Sequence, residues 1–283
     1  MQREEIVMTP SARFAAGSAV ALGATAMLAM TAATAAAADP SASRGSPQAR
    51  PTILLVHGAF ADAGGWDDVI GILQHEGYPV LALANPLRGL ASDSAYVRRI
   101  IDATEGPVVL VGHSYGGAVI TNAATGAANV TALVYVAAFV PDEGEVLGQF
   151  ADPVAYPGAA LTPDALVSRE FADGEYEVSI DPGRFREIFA ADLSKSVATR
   201  MAARQRPVAA AVFGEPSKTP AWKTIPSWYQ VSGEDKAISP VAERFFAERA
   251  GSHTVEIDAS HVAFISHSRA TSRLIESAAA SAR

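Results

Sequence analysis

The chain has 283 residues, of which 49% are hydrophobic and 18% charged, and its formal net charge at pH 7 is -8. This composition can supply a sizeable buried core and excludes a disordered chain. Nucleic-acid binding needs a clustered excess of lysine and arginine, which this acidic sequence lacks, so we expect no nucleic-acid partner. The absence of cysteine excludes disulfides, thiolate metal ligands and a cysteine nucleophile.

The first residues of the chain differ from the rest in composition. Residues 14–38 form an uncharged, alanine-rich run that follows Arg13 and ends in alanines before Asp39. A basic flank, an apolar run and a small-residue exit are typical of a secretory signal peptide, so we predict one over residues 1–38. An uncleaved membrane anchor is the alternative, although a run of alanine, glycine and threonine would insert weakly. We expect a secreted or periplasmic protein without stable membrane association.

Two boundaries follow from the same region. Glu4 and Glu5 do not suit the positively charged start of a signal peptide, which favours Met8 as the true initiator. Residues 39–50 are rich in serine, proline and arginine and show no periodicity, which predicts a flexible linker. The folded domain is therefore expected over residues 51–283.

From residue 51 onward, short apolar runs alternate with longer amphipathic runs. Strands are predicted at residues 52–56, 79–83, 107–111, 130–139, 227–231 and 253–257. Helices are predicted at residues 66–75, 92–104, 116–124, 241–250 and 269–280. Ser92 or Asp93 is the predicted cap of the second helix. Apolar strands that alternate with helices predict an α/β fold with a mostly parallel sheet of about six strands, covered on both faces.

The alternation stops between residues 141 and 224. This segment is rich in proline, alanine and phenylalanine, and helical patches are predicted at residues 164–171 and 184–201. We interpret the segment as a helical cap over the carboxyl edge of the sheet, where open α/β sheets bind ligands. Its phenylalanines are expected to line an apolar pocket: Phe150, Phe171, Phe185, Phe189 and Phe213.

The pentapeptide GHSYG at residues 112–116 fits the pattern G-x-S-x-G. It directly follows a predicted apolar strand and opens a helix of small residues, which is the context that a nucleophile elbow requires. The turn strains the backbone of Ser114, and Gly112 and Gly116 avoid collisions with closely approaching neighbours. The pattern also occurs by chance in glycine-rich turns, but in this context it predicts that Ser114 is a nucleophile.

A serine hydroxyl needs a base and an orienting acid, which follow it in this fold in the order acid, then histidine. Asp235 and His261 each lie just after a predicted strand, at the sheet edge where Ser114 is expected. Glu234 and Asp142 remain alternatives for the acid. Four other histidines are not expected to act on Ser114, because of their positions in the predicted helices, strands and turns: His75, His113, His253 and His267.

The dipeptide at residues 57–58 (HG) follows the first strand, in a loop that supplies an oxyanion donor in this context. We assign the two donors to the backbone N–H groups of Ala59 and Tyr115. The six histidines are scattered, and neither H-E-x-x-H, G-x-G-x-x-G nor a P-loop lysine occurs. We therefore expect neither a metal nor a cofactor.

Four segments resemble signature loops of the α/β-hydrolase superfamily: ILLVHGAF at 53–60, VVLVGHSYGG at 108–117, WYQVSGEDKAISP at 228–240 and ASHVAF at 259–264. The chain is similar to the esterase branch that also contains plant methyl-ester esterases and hydroxynitrile lyases. This resemblance implies a lid domain, no cofactor and a triad of Ser114, His261 and Asp235. Val262 stands where those lyases carry a lysine and Gly58 where they carry a threonine, which argues against lyase activity.

Three functions are compatible with these residues. The first is a secreted serine hydrolase that cleaves small carboxylic esters or lactones through an acyl-enzyme. The second is cofactor-free perhydrolysis or hydrolysis of carbon–carbon bonds by the same triad. The third is a non-enzymatic small-molecule-binding protein on a hydrolase scaffold. The sequence does not predict the oligomeric state.

Overall fold

The computed structural model describes residues 50–281. The predicted signal peptide and all but the last residue of the predicted linker lie outside this range. Within it, no helix is both long enough and apolar enough to cross a membrane.

The helices and strands follow one another along the described chain. The strands are β1 (Thr52–Val56), β2 (Val80–Leu83), β3 (Val108–His113), β4 (Val130–Val136), β5 (Leu166–Ala172), β6 (Glu175–Ile180), β7 (Val208–Ala209), β8 (Ser227–Ser232) and β9 (His253–Ile257). The α-helices are α1 (Asp67–His75), α2 (Leu90–Ala103), α3 (Tyr115–Ala123), α4 (Phe185–Phe189), α5 (Lys195–Arg204), α6 (Pro240–Arg249), α7 (Ala263–Ser266) and α8 (Ser268–Ser281). Short 3₁₀ helices lie at Ala63–Trp66, Leu147–Ala151, Pro163–Ala165, Ala210–Phe213 and Ala221–Lys223.

Six strands form the central sheet, in the order β2-β1-β3-β4-β8-β9, and every neighbouring pair is parallel. All six residues of β3 are buried, as are the last four of β1, because helices cover the sheet. Helix α1 packs against α8, and α2 packs against α3. The predicted α/β fold with a six-stranded parallel sheet is confirmed, and the carboxyl ends of its strands meet at one edge.

The cap differs from the sequence prediction. The sequence predicts residues 164–171 as helical, but only residues 164 and 165 are, at the end of a 3₁₀ helix. Residues 166–171 form most of β5, which pairs antiparallel with β6, and β6 pairs with β7 to complete a second sheet. The two-residue turn between β5 and β6 is Asp173-Gly174, and Gly174 has φ 74°. An Asp-Gly pair favours a tight hairpin turn, and here the glycine occupies the position that needs positive φ. The predicted patch at 184–201 divides into α4 and α5.

The start of α2 also differs from the prediction. The helix begins at Leu90 with Gly89 as its N-cap, and neither Ser92 nor Asp93 caps it. The Asp93 side chain instead accepts hydrogen bonds from the Arg88 N–H (3.1 Å) and from the Tyr115 hydroxyl (2.8 Å). Asp93 therefore ties the loop before α2 to the start of α3.

Two glycines offer a matched test of how closely the helices pack. A Cβ on Gly117 in α3 would lie 2.5 Å from the Phe139 carbonyl oxygen, whereas a Cβ on Gly71 in α1 would meet no atom within 4 Å. We expect Gly117→Ala to lower the free energy of unfolding by about 1–3 kcal/mol through overpacking. Gly71→Ala should raise it by about 0.5–1 kcal/mol, because alanine loses less backbone entropy in a helix. Urea denaturation of both variants measures the difference, and equal effects would contradict this packing.

Candidate active site

The turn between β3 and α3 places Ser114 at the carboxyl edge of the sheet. Its backbone has φ 54° and ψ −125°, a strained conformation for any residue with a side chain. The Ser114 N–H donates to the Ala137 carbonyl (3.1 Å), and the Ser114 carbonyl accepts from the Phe139 N–H (3.2 Å). The loop after β4 therefore holds this turn in place from both sides of the serine.

Three positions around Ser114 require glycine because neighbouring atoms lie too close to leave room for a Cβ. A Cβ on Gly58 would lie 2.5 Å from the Ser114 Cβ, and one on Gly112 would lie 2.6 Å from the Gly116 carbonyl oxygen. A Cβ on Gly116 would collide with the carbonyl oxygen of Val56 in β1. These are the collisions that the sequence predicted for Gly112 and Gly116, and they show that the loop after β1 lies directly against the serine side chain.

His261 and Asp235 meet at the same edge. The His261 Nδ1 lies 2.5 Å from Asp235 Oδ2, and His261 is fully buried while Asp235 is 2% exposed. The other Asp235 oxygen accepts from the N–H groups of Ala237 (2.6 Å) and Ile238 (3.0 Å). These donors fix the carboxylate, so that Nδ1 carries the proton of the neutral imidazole and Nε2 is left as an acceptor.

No hydrogen bond joins His261 Nε2 to Ser114 in the structure, and Nε2 has no other partner among residues 50–281. Ser114 is 6% exposed, so its side chain is nearly enclosed in the same edge of the sheet. Hydrogen bonds between nucleophile and base are often long before a substrate binds and tighten in the complex. The Nε2 atom is thus an acceptor without a partner within the described range, at the sheet edge that carries the serine.

The alternatives for the acid lie elsewhere. Glu234 is exposed, and Asp142 pairs with Lys223 at 2.5 Å on the surface. The structure therefore brings Asp235, and neither of these two carboxylates, to His261. The other histidines do not take the position of the proposed base, as expected. His75 and His253 are exposed, His267 bonds to Ser266, and His113 is buried behind the turn that carries Ser114.

The backbone amides of Ala59 and Tyr115 flank Ser114. Tyr115 is the first residue of α3, where a backbone N–H has no acceptor within the helix and the helix dipole is positive. Ala59 follows Gly58, which touches the serine, and its N–H donates to no acceptor in the described part of the chain. Two free amides beside a serine are the components of an oxyanion hole.

The loop that carries Ala59 is held by a neutral histidine. His57 Nδ1–H donates to the Gly58 carbonyl (2.9 Å), and its Nε2 accepts from the Asn85 N–H (3.1 Å). Arg206, from the cap, reaches the same Nε2 (3.4 Å) and the Asn85 carbonyl (3.1 Å). Burial, together with the nearby Arg206 charge, lowers the pKa of His57 to about 4, so the ring is neutral at pH 7.

Aromatic rings enclose the imidazole of His261. The Phe189 ring lies 4.8 Å from it and the His113 ring 4.6 Å, centre to centre. His113 Nε2–H also donates to the His261 carbonyl (3.0 Å), and burial lowers the pKa of His113 well below its usual value. A neutral, buried His113 thus supports the position of His261 without adding charge.

A carboxylate from the cap binds the loop that carries His261. Asp192, between α4 and α5, accepts from the Ser260 hydroxyl and N–H (3.1 Å for the N–H) and from the Ser266 hydroxyl (2.7 Å). Burial opposes its charge, but these hydrogen bonds outweigh burial and lower the pKa of Asp192. The cap is therefore attached to the residue next to His261.

An apolar cavity of about 260 Å³ lies between the cap and the sheet edge. Phe150 and Phe213 line it, as predicted, whereas Phe185 and Phe189 are buried outside its lining. The prediction for Phe171 is wrong, because this residue lies on the β5–β6 hairpin and is 41% exposed. The remaining lining residues are Phe139, Leu147, Gly148, Ala151, Leu161, Pro163, Leu166, Ala237 and Ile238.

Residues 50–281 contain no group of three histidine, cysteine, aspartate or glutamate side chains that could hold a metal ion.

The sequence did not predict three residues that lie near the site: Asp192, Arg206 and Glu243. Of these, Glu243 is buried beside Asp235. Only Glu243 carries a local signal, since it lies on the otherwise apolar side of the predicted helix at 241–250. The other two act across contacts that no sequence pattern reports.

Comparison with known proteins adds to this geometry. A family model described as alpha/beta hydrolase family matches residues 53–274. A carbendazim hydrolyzing esterase from Nocardioides sp. (strain SG-4G) is 34% identical over an alignment of 146 positions, which covers 45% of this chain and 55% of that esterase. The match therefore spans little more than half of that relative's length.

Two solved structures have the same fold over most of the chain. A pyrethroid hydrolase from Sphingobium faniae superimposes with a TM-score of 0.68 and 23% identity, covering 82% of this chain and 97% of that one. Polyneuridine aldehyde esterase superimposes with a TM-score of 0.69 and 20% identity, covering 81% and 98%. The family match over most of the sequence, together with this shared fold, shows that the chain belongs to the alpha/beta hydrolase family.

Proposed function

We propose that the protein is a serine esterase that cleaves small, apolar carboxylic esters or lactones through an acyl-enzyme. The observation that carries this proposal is the buried hydrogen bond between His261 Nδ1 and Asp235 Oδ2, at the sheet edge that carries Ser114. It leaves Nε2 free as a base, and the turn at Ser114 has the strand-to-helix geometry of a nucleophile elbow.

In the first half of the reaction, the Ser114 hydroxyl attacks the carbonyl carbon of the ester while His261 Nε2 takes the hydroxyl proton. The N–H groups of Ala59 and Tyr115 donate to the oxyanion of the tetrahedral intermediate. Asp235 stabilises the imidazolium that forms. The proton then passes from Nε2 to the leaving alcohol as the carbon–oxygen bond breaks, and Ser114 is left acylated.

In the second half, water attacks the acyl carbon and gives a proton to His261 Nε2. The second tetrahedral intermediate collapses, the bond to Ser114 breaks, and the serine oxygen recovers its proton from the imidazolium. The carboxylic acid leaves, and no cofactor takes part in either half.

The lining of the cavity supports the proposal that the substrates are apolar. No charged side chain lines it, and two lining residues also hold the proposed catalytic groups. The Phe139 N–H donates to the Ser114 carbonyl, and the Ile238 N–H donates to Asp235. At about 260 Å³, the cavity is slightly smaller than common ligand pockets, so we propose that it takes one apolar part of the ester.

Replacing the nucleophile is the direct test. We expect Ser114→Ala to abolish labelling by a fluorophosphonate and to lower kcat on a p-nitrophenyl ester by about 10⁴-fold or more, because the attacking oxygen is gone. Ser168→Ala, at an exposed serine on the cap hairpin, is the control and should label as the wild type does. Wild-type turnover rates in Ser114→Ala would exclude the proposed mechanism.

A panel of candidate substrates for the wild-type protein should include carbendazim and a pyrethroid, which the names of two similar proteins suggest.

Enlarging the cavity tests the substrate class. Phe213→Ala removes a ring from the cavity wall, so kcat/KM for long-chain esters relative to short-chain esters should rise about tenfold. Phe171→Ala removes a ring from the exposed hairpin and should leave this ratio unchanged. The ratio is measured on p-nitrophenyl esters of increasing acyl length. An equal change in both variants would show that the cavity does not bind the acyl chain.

We also propose that the protein is exported and that its signal peptide is cleaved after Ala38. The alanine-rich run at 14–38 and the small residues at its end support this assignment. Mass spectrometry of the protein recovered from the periplasm or the medium should give a mature N-terminus at Asp39. Recovery of the uncleaved chain from the membrane fraction would favour the anchor alternative.

A further inference from the structure

A second carboxyl group lies buried beside Asp235. Glu243, in α6, has no exposed surface, and its Oε2 accepts from the Ser232 N–H at 3.0 Å. No donor group within the described range reaches its Oε1. A buried carboxyl oxygen without a donor is costly, so each such group in a native protein needs an explanation.

The groups that face Glu243 offer no unpaired positive charge to balance an ionised form. Asp235, from the loop after β8, lies within hydrogen-bond reach of it, and Tyr229 of β8 is a neutral buried phenol nearby. Arg244, on the same helix, is half exposed and forms its ion pair with Glu256 of β9 at 2.5 Å. Burial and the adjacent Asp235 charge raise the pKa of Glu243 well above its usual value.

Two carboxylates cannot both be ionised at hydrogen-bond distance in a buried site, so the pair shares a proton. The donors around each group decide which one carries it. Asp235 accepts from the Ala237 N–H, the Ile238 N–H and His261 Nδ1–H, whereas Glu243 accepts from the Ser232 N–H alone. Donors stabilise the charged form of a carboxyl. Asp235 is therefore the carboxylate, and the proton lies on Glu243.

We propose that Glu243 is a neutral carboxylic acid that donates a hydrogen bond to Asp235 and thereby positions and tunes the proposed catalytic Asp235–His261 pair. The inference rests on the proposed function for its kinetic consequence, but the protonation of Glu243 can be measured without turnover. Glu243 touches neither substrate nor reacting atoms, so it is a positioning residue.

The hydrogen bond draws charge from Asp235 and so moderates how strongly this carboxylate stabilises protonated His261. Losing the donor should therefore strengthen this stabilisation. Since the acid limb of a kcat/KM profile reports the essential base of the free enzyme, that limb should move to higher pH.

Three variants separate the donor from the side-chain volume. Glu243→Gln keeps an N–H donor for Asp235 and an acceptor for Ser232, so the acid limb should stay at the wild-type pH. Glu243→Met keeps the length but removes the donor, so the limb should move up by roughly one pH unit. Glu248→Gln, at an exposed glutamate on the same helix, is the matched control. A shift of the acid limb to lower pH in Glu243→Gln would show that wild-type Glu243 is ionised and would overturn the proposal. Acid limbs at the same pH in Glu243→Gln and Glu243→Met would also overturn it.

Infrared spectroscopy tests the protonation state independently of ester hydrolysis. Wild-type protein should show a carboxylic-acid C=O band at pH 7 that shifts when glutamate is labelled with ¹³C and that Glu243→Gln removes. Glu248→Gln should keep the band. If a variant fails to fold, the ¹³C shift in wild-type protein alone still decides whether a glutamic acid is protonated. Absence of the band would overturn the proposal, while its presence in a protein without esterase activity would refute only the proposed function.

Discussion

The backbone turn at Ser114 is the constraint on which the rest of the site depends. A residue with a side chain at φ 54° costs about 1–3 kcal/mol and persists only where the surroundings over-determine it. Here the loop after β4 bonds to both backbone groups of the serine, and glycines let β1 and α3 approach within contact distance. The strain is therefore stabilised by the packed sheet, and the hydroxyl is held at the edge where the loops from β1, β8 and β9 meet.

Burial determines the charges of the site. It lowers the pKa of His57 and His113, so both rings are neutral near pH 7, and it raises the pKa of Glu243. Asp235 differs because three N–H donors surround its carboxylate. An imidazolium formed at His261 would thus face one fixed negative charge across 2.5 Å, in an environment that screens that charge far less than water does.

The sheet and the proposed triad could be predicted from the sequence because both follow local rules. Apolar runs identified the six parallel strands, and the chain order of nucleophile, acid and histidine selected Asp235 and His261. The cap hairpin was missed, although Asp173-Gly174 is a hairpin signal, because β5 is exposed on both faces and has no apolar alternation. Contacts such as that of Asp192 with Ser260 join residues 68 positions apart, and no pattern within either segment reports them.

Those long-range contacts give the cap a second role besides lining a cavity. Asp192 holds the loop of His261, and Arg206 holds His57 beneath the loop of Ala59, so the cap is bonded to the proposed base and to the proposed oxyanion hole. Both contacts are polar and lie beside buried groups, where an unpaired partner is costly. Displacing the cap would therefore free both loops together. The cap that lines the cavity is thus also bonded to both loops of the proposed catalytic groups, so we expect a well-seated cap to be a condition for a well-ordered triad.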